Sequence, residues 1–359
     1  MTALFMHIFD NVGGAERRIA RIFNEIAKNK KDIDFIAMGK QTSIDKFFNE
    51  NINTVNFNKT VVFKKSNVGM LKILFFLFSS KYNSIVYFDA TRFTVLINFF
   101  ALLLRKKVLI IIANPFAAYN MLKGKLNRYF NYCLKTSAHI DCLYPSAEQD
   151  LKTRFPKKNI TTTPNSFTDL KRFTPKKKEK LFVFAAARLE KSKNPHLLID
   201  AINIIQEKVR KEDYKIVICG GGFDKEQLIQ KVKEDRTDDI ISFVGNVKTI
   251  DFFPQAELFF SLQVIENYPS QSLLEAISCG CYIIATDVGS TRAIADGIEF
   301  STLVNNDKNE LSNAILKYFE FSQEEKEACS KKARTFSENN FIIEPNIKYF
   351  SNIINNFNS

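Results

Sequence analysis

The sequence predicts an α/β protein of two doubly wound domains, each built on a mostly parallel sheet covered by helices. Apolar runs of strand length alternate with amphipathic helical segments through the first half of the chain. Residues 3–9 form the first such run; a glycine turn at 11–14 and a helix near 15–28 follow. The pattern restarts with a strand at 181–186 and a helix that begins at Pro195. A length of 359 residues suits two domains of ordinary size.

The other elements of the first domain follow from the same alternation. Strands are predicted near 33–38, 84–89, 107–113, 139–144 and 159–163, and helices near 67–79, 91–104, 120–135 and 146–154. A charged stretch without periodicity then marks a domain boundary. The predicted divisions are a first domain at 1–167, a linker at 168–180, a second domain at 181–338 and a last helical segment at 339–359.

Composition excludes several classes of protein. Hydrophobic residues make up 45% of the chain and charged residues 25%, as in soluble globular proteins. The longest apolar runs, 71–78 and 93–104, are too short to span a bilayer, and no secretory signal is visible. The six cysteines show no CxxC spacing and no nearby cluster of His or acidic ligands. We therefore expect no metal site and a reduced, cytoplasmic compartment.

Charge is distributed unevenly along the chain. Residues 1–180 contain 31 Lys and Arg against 13 Asp and Glu, whereas residues 181–359 contain 20 against 26. A basic first half indicates an anionic partner, such as a membrane surface or a lipid-linked diphosphate. The aromatic–basic motifs of RNA-binding proteins are absent, so we expect no nucleic acid. A basic face that is merely solvated is the alternative.

Two segments of this basic half are candidates for contact with a membrane. Residues 91–105 are apolar almost all round and lead into a run of three basic residues at 105–107. Residues 120–135 mix four large apolar side chains with four basic ones, which makes them the better interfacial candidate. An ordinary helix packed on the sheet explains 120–135 equally well.

Residues 266–297 contain the strongest functional signal. Glu266 and Glu275 flank Pro269 and a run of small polar residues, after which a short helical pattern begins. Proline is tolerated near a helix start, and a serine there can cap the helix. The free backbone N–H groups of such a first turn suit a phosphate. One continuous helix would place the two glutamates on opposite faces, whereas a loop followed by a helix lets both face one ligand. The stretch predicts a nucleotide-sugar site.

This stretch resembles the donor-binding signature of retaining GT-B glycosyltransferases of family four, the glycosyl transferases group 1. In that family seven residues separate the two glutamates, and here eight do. The resemblance implies that Glu275 holds the ribose hydroxyls and that Glu266 faces the transferred sugar without acting as a nucleophile. Further donor contacts are expected from the segment between them, namely Ser270, Gln271, Ser272, Leu273 and Leu274.

Three other positions of the second domain carry the resemblance. Arg188 and Lys193 follow its first strand and resemble the family's pair that neutralises the leaving diphosphate. Arginine supplies a planar fork for phosphate oxygens and lysine a point charge. Asn246 lies in a turn that resembles the one contacting the nucleobase.

The first domain offers fewer matches. Gly13, Gly14 and Arg17 belong to a string that resembles the family's loop near the donor phosphates and the acceptor. Asn114 stands where many relatives carry a histidine close to the reacting sugar, so no histidine general base is expected. Asn114 is expected to hydrogen-bond the sugar or the acceptor.

The resemblance implies both a fold and an activity. Two Rossmann-like domains would face each other across a cleft, with the last helix packed back on the first domain. The activity would be that of a retaining, metal-independent glycosyltransferase without a cofactor, whose donor is a nucleotide-diphosphate sugar. A glycan or lipid-linked acceptor would lie on the basic first domain, in cell-envelope polysaccharide synthesis. The enzyme would work in the cytoplasm at the inner face of the membrane, bound peripherally.

Two alternatives remain open at this point. A nucleotide-sugar epimerase of the same fold would convert the donor without any acceptor. A basic module that binds membranes or polyanions without catalysis would ignore nucleotide sugars, and salt would weaken its binding steeply.

Overall fold

The chain forms two compact units in a computed structural model of the protein. The first comprises Met1–Pro164 and Ile343–Ser359, and the second comprises Asn165–Ile342. The structure describes residues 1–8, 14–30, 32–52, 54–78, 81–88, 92–113, 125–164, 166–268 and 270–358. The described strand pairs of both units are parallel.

The first unit contains a seven-stranded sheet of order β3-β2-β1-β4-β5-β6-β7. Its strands are β1 (Thr2–Ile8), β2 (Ile33–Gly39), β3 (Lys59–Phe63), β4 (Ser84–Phe88), β5 (Lys107–Ile112), β6 (His139–Cys142) and β7 (Ile160–Thr162). The central strands are buried on both faces, which explains their continuous apolar runs.

Helices link these strands. They are α1 (Gly14–Asn29), α2 (Gln41–Asn51), α3 (Asn67–Leu77), α4 (Arg92–Leu103), α5 (Lys125–Thr136) and α6 (Pro145–Arg154). Helix α2 and strand β3 are additional to the predicted elements. Strand β3 lies at the edge of the sheet and has no fully buried residue, so its sequence lacks the apolar run by which the other strands are recognised.

The second unit contains a six-stranded sheet of order β10-β9-β8-β11-β12-β13. Its strands are β8 (Glu179–Arg188), β9 (Lys215–Gly221), β10 (Ile241–Gly245), β11 (Ala256–Ser261), β12 (Tyr282–Thr286) and β13 (Ser301–Val304). Its α-helices are α7 (Pro195–Lys211), α8 (Lys225–Glu234), α9 (Gln271–Ser278), α10 (Arg292–Ala295), α11 (Lys308–Phe319) and α12 (Gln323–Asn340). A single apolar core fills the space between this sheet and its helices.

The stretch 168–180, expected as a linker, belongs to the second unit. Phe173 is buried in the core of that unit. The Arg334 guanidinium of α12 donates hydrogen bonds to the carbonyl oxygens of Phe173, at 2.7 Å, and of Leu170, at 3.1 Å. The stretch is therefore irregular in backbone but fixed to the domain that follows it.

The last helix, α13 (Glu344–Asn358), packs on the first unit. The rings of Phe350 and Phe23 lie 5.4 Å apart, which joins α13 to α1. The Tyr349 hydroxyl donates a 2.7 Å hydrogen bond to Asp141 of β6, and Thr163 donates a 2.8 Å bond to the other carboxylate oxygen. A buried carboxylate thus anchors the C-terminal helix.

Within the part of the chain that the structure describes, none of the helices combines the length and the apolar content that a bilayer crossing needs.

The buried carboxyl of Asp141 has an unusually high pKa. Burial raises the pKa of this carboxyl from 3.8 to about 6, against the opposing effects of Tyr349, Thr163 and the charge of Arg18. Because the folded pKa lies above the unfolded one, the native state holds the proton more tightly between these two values. The protonated carboxyl therefore favours folding at low pH, and this contribution is lost as the pH rises through about 6.

We predict that Asp141→Asn removes this pH dependence. The amide keeps an acceptor for Tyr349 but cannot ionise, so the variant should gain roughly 2–3 kcal/mol relative to wild type between about pH 4 and pH 7. Urea unfolding across this pH range measures the difference. Asp150→Asn, which changes an exposed carboxylate of α6, is the control and should track wild type. Parallel profiles for wild type and Asp141→Asn would contradict the prediction.

Candidate active site

The strand order of the second unit places several predicted residues at one edge of its sheet. The chain moves outward from β8 through β9 to β10 and then returns to the other side of β8 with β11. Open parallel sheets bind ligands at the carboxyl ends of the strands that flank such a reversal. Arg188 ends β8, and Glu266 lies in the segment that leads from β11 to α9. The candidate site is therefore at the switch point between β8 and β11.

Lys193 joins the loops that follow these two strands. It ends the short 3-10 turn Lys191–Lys193, and its Nζ donates a 3.0 Å hydrogen bond to Oε1 of Gln263. The backbone N–H of Val264 donates to the carbonyl oxygen of Ser192, also at 3.0 Å. Burial lowers the pKa of Lys193, and the nearby charge of Arg188 lowers it further against the effect of Glu190. The lysine is held in place by a neutral amide.

Arg188 supplies a second cation beside Lys193. Its side chain is exposed, and among the described residues it forms no ion pair and no side-chain hydrogen bond. Neither cation forms an ion pair within the described part of the chain, although the charge of Glu190 acts on Lys193. The two cations repel each other, and an anion bound between them removes that repulsion. The pair is suited to bind a phosphate or diphosphate.

Close backbone packing beside these residues requires glycine. Gly220 and Gly222 have φ angles of +140° and +143°. A Cβ at Gly220 would lie 2.0 Å from the carbonyl oxygen of Ala186, and one at Gly222 would lie 2.7 Å from that of Leu189. The glycine run therefore lets the end of β9 pack directly against the end of β8 and the residue that follows it.

Asn246 lies over this glycine run. Its amide nitrogen would be 3.1 Å from a Cβ at Gly221, and its side chain is exposed. The preceding Gly245 has a φ of +73°. This turn after β10 presents backbone and amide groups beside the end of β9, and the sequence predicts that the nucleobase binds there.

Glu266 is fixed by the turn that precedes α10. Its Oε1 accepts a 2.9 Å hydrogen bond from the backbone N–H of Ser290. Gly289, with φ +54°, packs directly on it, because a Cβ there would lie 2.7 Å from Cγ of Glu266. The glutamate is therefore oriented before any ligand arrives.

Glu275 lies in α9 and contacts a residue that sequence reasoning did not single out. The hydroxyl of Thr249 donates a 2.9 Å hydrogen bond to Oε2 of Glu275. Thr249 begins the 3-10 turn Thr249–Asp251, and Glu275 is half-buried. This bond orients the carboxylate assigned to the ribose.

Helix α9 begins after a non-helical stretch, as the sequence predicts. Ser270 occupies the N-cap position but makes no side-chain capping hydrogen bond, which departs from the expected cap. The first N–H groups of the helix therefore remain available to an anion. The side-chain amide of Gln271 donates a 3.2 Å hydrogen bond to the hydroxyl of Thr168. The side chains of Leu273 and Leu274 pack in the core, so their predicted donor contacts would have to come from backbone.

The predicted residues of the first unit are less completely described. Gly13 and Asn114 lie outside the described residues, as does Pro269 of the second unit. Gly14 and Arg17 lie in the first turns of α1, and both are exposed. Their assignment to the donor phosphates and the acceptor stays a prediction.

Three supporting residues were missed by sequence reasoning: Gln263, Thr249 and Ser290. Each is ordinary in its local sequence and gains its role through a partner at least 24 positions away. The position of Gln263 just after β11 was the one available signal, since polar residues at strand carboxyl ends often face a ligand.

Metal ligands were not expected, and the six cysteines are free, with Cys279 and Cys281 buried. Over the described ranges, no group of three or more His, Cys, Asp or Glu side chains is placed to hold a metal ion. Metal independence of the activity stays a prediction.

The second unit matches a known family. Residues 166–336 match the family described as Glycosyl transferases group 1, so this unit is a domain of that type. A relative, the N-acetylgalactosamine-N,N'-diacetylbacillosaminyl-diphospho-undecaprenol 4-alpha-N-acetylgalactosaminyltransferase of Campylobacter jejuni, is 30% identical over 156 residues. That match covers 43% of this chain and 41% of the relative.

Solved structures resemble the chain over nearly its whole length. HepE of Anabaena, solved with UDP, aligns with a TM-score of 0.80 at 14% identity, over 99% of this chain and 100% of that one. A glycosyltransferase of Rickettsia africae aligns at 0.72 and 12% identity, over 99% and 98%. A sucrose-phosphate synthase of Thermosynechococcus elongatus aligns at 0.74 and 14%, over 99% and 98%. These similarities confirm the predicted fold class, two parallel-sheet Rossmann-like units of the kind found in GT-B glycosyltransferases.

The contact between Gly289 and Glu266 can be tested by a double-mutant cycle. Gly289→Ala should destabilise the protein through its positive φ and also by displacing Glu266. Gly297→Ala is the matched control, because Gly297 has φ +69° but nothing within 4 Å of its added Cβ. We expect Gly289→Ala to cost about 1–3 kcal/mol more than the control, the usual range for overpacking.

Shortening the glutamate should recover part of that difference. Gly289→Ala combined with Glu266→Ala should be more stable than the sum of the two single changes predicts, since the contacts with Cγ and Cδ are removed and only Cβ of residue 266, at 2.8 Å, remains close. Chemical denaturation of the four variants gives the coupling energy. Strict additivity would show that Gly289 does not hold Glu266.

Proposed function

We propose that this protein is a retaining, family-four glycosyltransferase that moves a sugar from a nucleotide-diphosphate sugar to a glycan or lipid-linked acceptor. The observation that carries the proposal is the cation pair Arg188 and Lys193, which forms no ion pair within the described residues, at the switch point of a glycosyl transferases group 1 domain. A site of this kind is built for a leaving diphosphate.

The donor is proposed to lie along the switch point. Its diphosphate would contact Arg188, Lys193 and the N-terminus of α9, where the capping position makes no side-chain bond. Glu275, oriented by Thr249, would accept hydrogen bonds from the ribose hydroxyls. The nucleobase would lie against the turn at Asn246.

The two cations are proposed to stabilise the leaving diphosphate. As the bond from the anomeric carbon to the diphosphate breaks, negative charge grows on the phosphate oxygen. Lys193 is held by Gln263 and would stabilise that charge with little reorganisation, and the exposed Arg188 beside it would add a second cation. The acceptor hydroxyl would attack from the same face and give its proton to the departing phosphate. Arg188 and Lys193 would thereby fill the role that a divalent metal has in other transferases.

Glu266 is proposed to position the sugar. One of its oxygens accepts the Ser290 N–H, and Gly289 packs against its side chain, so the carboxylate has little freedom to advance on an anomeric carbon. A held carboxylate suits a hydrogen bond to a sugar hydroxyl. The Campylobacter relative is named for a 4-alpha linkage, which a retaining enzyme forms from an alpha-linked donor.

The acceptor is proposed to be lipid-linked and to belong to cell-envelope polysaccharide or glycoconjugate synthesis. The Campylobacter relative is named for a diphospho-undecaprenol substrate. The basic first half of this chain, with 31 Lys and Arg against 13 Asp and Glu, suits such an anionic acceptor. We place the reaction in the cytoplasm at the inner face of the membrane.

A thermal-shift panel of UDP, GDP, ADP and CMP tests the donor site. UDP is the first ligand to examine, because HepE was solved with it. A nucleotide at about 100 times its dissociation constant should stabilise the protein by about 2.7 kcal/mol.

Glu275→Ala should weaken binding by roughly 1.5–3 kcal/mol, the scale of a hydrogen bond to a charged group. Glu234→Ala, at an exposed glutamate of α8, is the control. An unchanged affinity in Glu275→Ala would exclude the ribose assignment.

A transfer assay with and without EDTA tests the diphosphate assignment. Arg188→Ala with Lys193→Ala should depress kcat more than it raises KM, because the cations act on charge that develops in the transition state. Wild-type activity should persist in EDTA, and added magnesium should not rescue the double variant. Lys233→Ala with Lys331→Ala removes the same charge from exposed positions of this unit and is the control. Full loss of wild-type activity in EDTA would replace the cation mechanism by a metal-dependent one.

A further inference from the structure

Exposed apolar side chains concentrate on two helices of the first unit. Of fifteen large hydrophobic residues that stand exposed among the described residues, eight belong to α3, α4 and the turn after α4. On α3 and α4 they fall at matching spacing, i, i+3 and i+7, which makes one stripe along each helix. The members of these two stripes, here called the α3–α4 face, are Val68, Leu71, Phe75, Leu96, Phe99 and Leu103.

This face is additional to the stripes that pack on the sheet. Helix α3 buries Ile73, Leu74 and Leu77, and α4 buries Ile97 and Ala101. Both helices are thus apolar on two sides, which accounts for their lack of amphipathic pattern in the sequence. Burial in the core explains only one of the two sides. Phe75, 84% exposed, and Leu103, 68% exposed, belong to the other.

The two helices are neighbours. The rings of Phe78, just after α3, and Phe100 of α4 lie 5.6 Å apart. Both helices connect parallel strands of one sheet, so they run in the same direction and their C-terminal ends lie together. The two stripes therefore lie on neighbouring helices that run in the same direction.

Basic residues surround this surface. Between residues 51 and 140 the sequence has thirteen Lys and Arg and one acidic residue, Asp89. Lys64 and Lys65 precede α3, Lys72 lies beside its stripe, and Arg105 and Lys107 follow α4; all five are exposed. An apolar surface with a basic margin combines the two attractions that hold a protein on an anionic bilayer, burial of apolar side chains below the headgroups and charge attraction to them.

We infer that the α3–α4 face is a membrane-docking surface that inserts its apolar side chains into a bilayer containing anionic lipid. The inference rests on the proposed function only in that a lipid-linked acceptor brings the enzyme to a bilayer. A second copy of the chain fits less well, because a symmetric contact through this face would bring the two basic margins together.

The surface differs from the one that the sequence favoured. The better candidate there was 120–135, but the described part of α5 buries Phe130, Cys133 and Leu134. It exposes Arg128 and Lys135 instead. Among its described side chains, α5 has no exposed large hydrophobic residue, so this part behaves as an ordinary helix packed on the sheet.

Co-sedimentation with vesicles tests the docking surface. The probe is vesicles of phosphatidylcholine with about one third phosphatidylglycerol, compared with phosphatidylcholine alone. Wild type should bind the anionic vesicles, and Phe75→Ser with Leu103→Ser should reduce the binding constant about tenfold or more. Phe223→Ser is the apolar control, because Phe223 is fully exposed but lies in the second unit. Lys72→Gln with Arg105→Gln should weaken binding to anionic vesicles only, whereas Lys233→Gln with Lys331→Gln should not.

Insertion can be measured directly, since the chain contains no tryptophan. Phe75→Trp places the sole indole on the α3–α4 face, and its emission should shift to shorter wavelength on addition of anionic vesicles. Brominated lipid chains should quench it. Phe223→Trp should show neither change. This readout needs no loss of binding and so does not depend on how the serine variants fold.

Three outcomes would overturn the inference: no vesicle binding by wild type, full binding by Phe75→Ser with Leu103→Ser, or an unshifted Phe75→Trp spectrum. A concentration-dependent dimer that the serine variant abolishes, without vesicle binding, would assign the face to a second copy. Nucleotide binding by the same samples in the thermal-shift panel separates failure of this inference from failure of the proposed function.

Discussion

The candidate site depends on the junction between two loops at the edge of the second sheet. The hydrogen bond from Lys193 to Gln263 and the backbone bond from Val264 to Ser192 hold the loop after β8 against the loop after β11. This junction keeps two cations close together although they repel each other. The repulsion between the two cations lowers the stability of the fold slightly, and a bound diphosphate would remove this repulsion. The site is thus preorganised for charge before any ligand is present.

The carboxylates beside these cations are restrained in the same way. Glu266 is held by a backbone N–H and a glycine, and Glu275 by the hydroxyl of Thr249. Each restraint comes from a different loop of the same unit. Lys193, Glu266 and Glu275 can therefore keep their places without help from the ligand, which is what efficient charge stabilisation needs.

The first unit has a different design. Its described features are a basic composition, a C-terminal helix anchored by the buried Asp141, and the α3–α4 face. We propose that its basic residues serve an anionic acceptor and that its α3–α4 face contacts an anionic bilayer. This division is consistent with a donor site in the second unit and a membrane-facing role for the first.

The sequence by itself determined the α/β class, most of the strands, and the identity of the residues with the strongest local signals. Apolar runs predict buried parallel strands. The residues with recognisable spacings after such runs are Arg188, Lys193, Glu266 and Glu275. The sequence did not predict the edge strand β3 or helix α2, because neither has a distinctive apolar pattern.

Only the tertiary structure decided what holds these residues and which apolar faces are covered. Gln263, Thr249 and Ser290 act through partners distant in the chain, and no local pattern records such a contact. The sequence likewise shows that α4 is apolar nearly all round and that α5 is amphipathic. Whether an apolar side chain meets a core or solvent depends on where the sheet and the neighbouring helices lie, and that position is set by long-range packing.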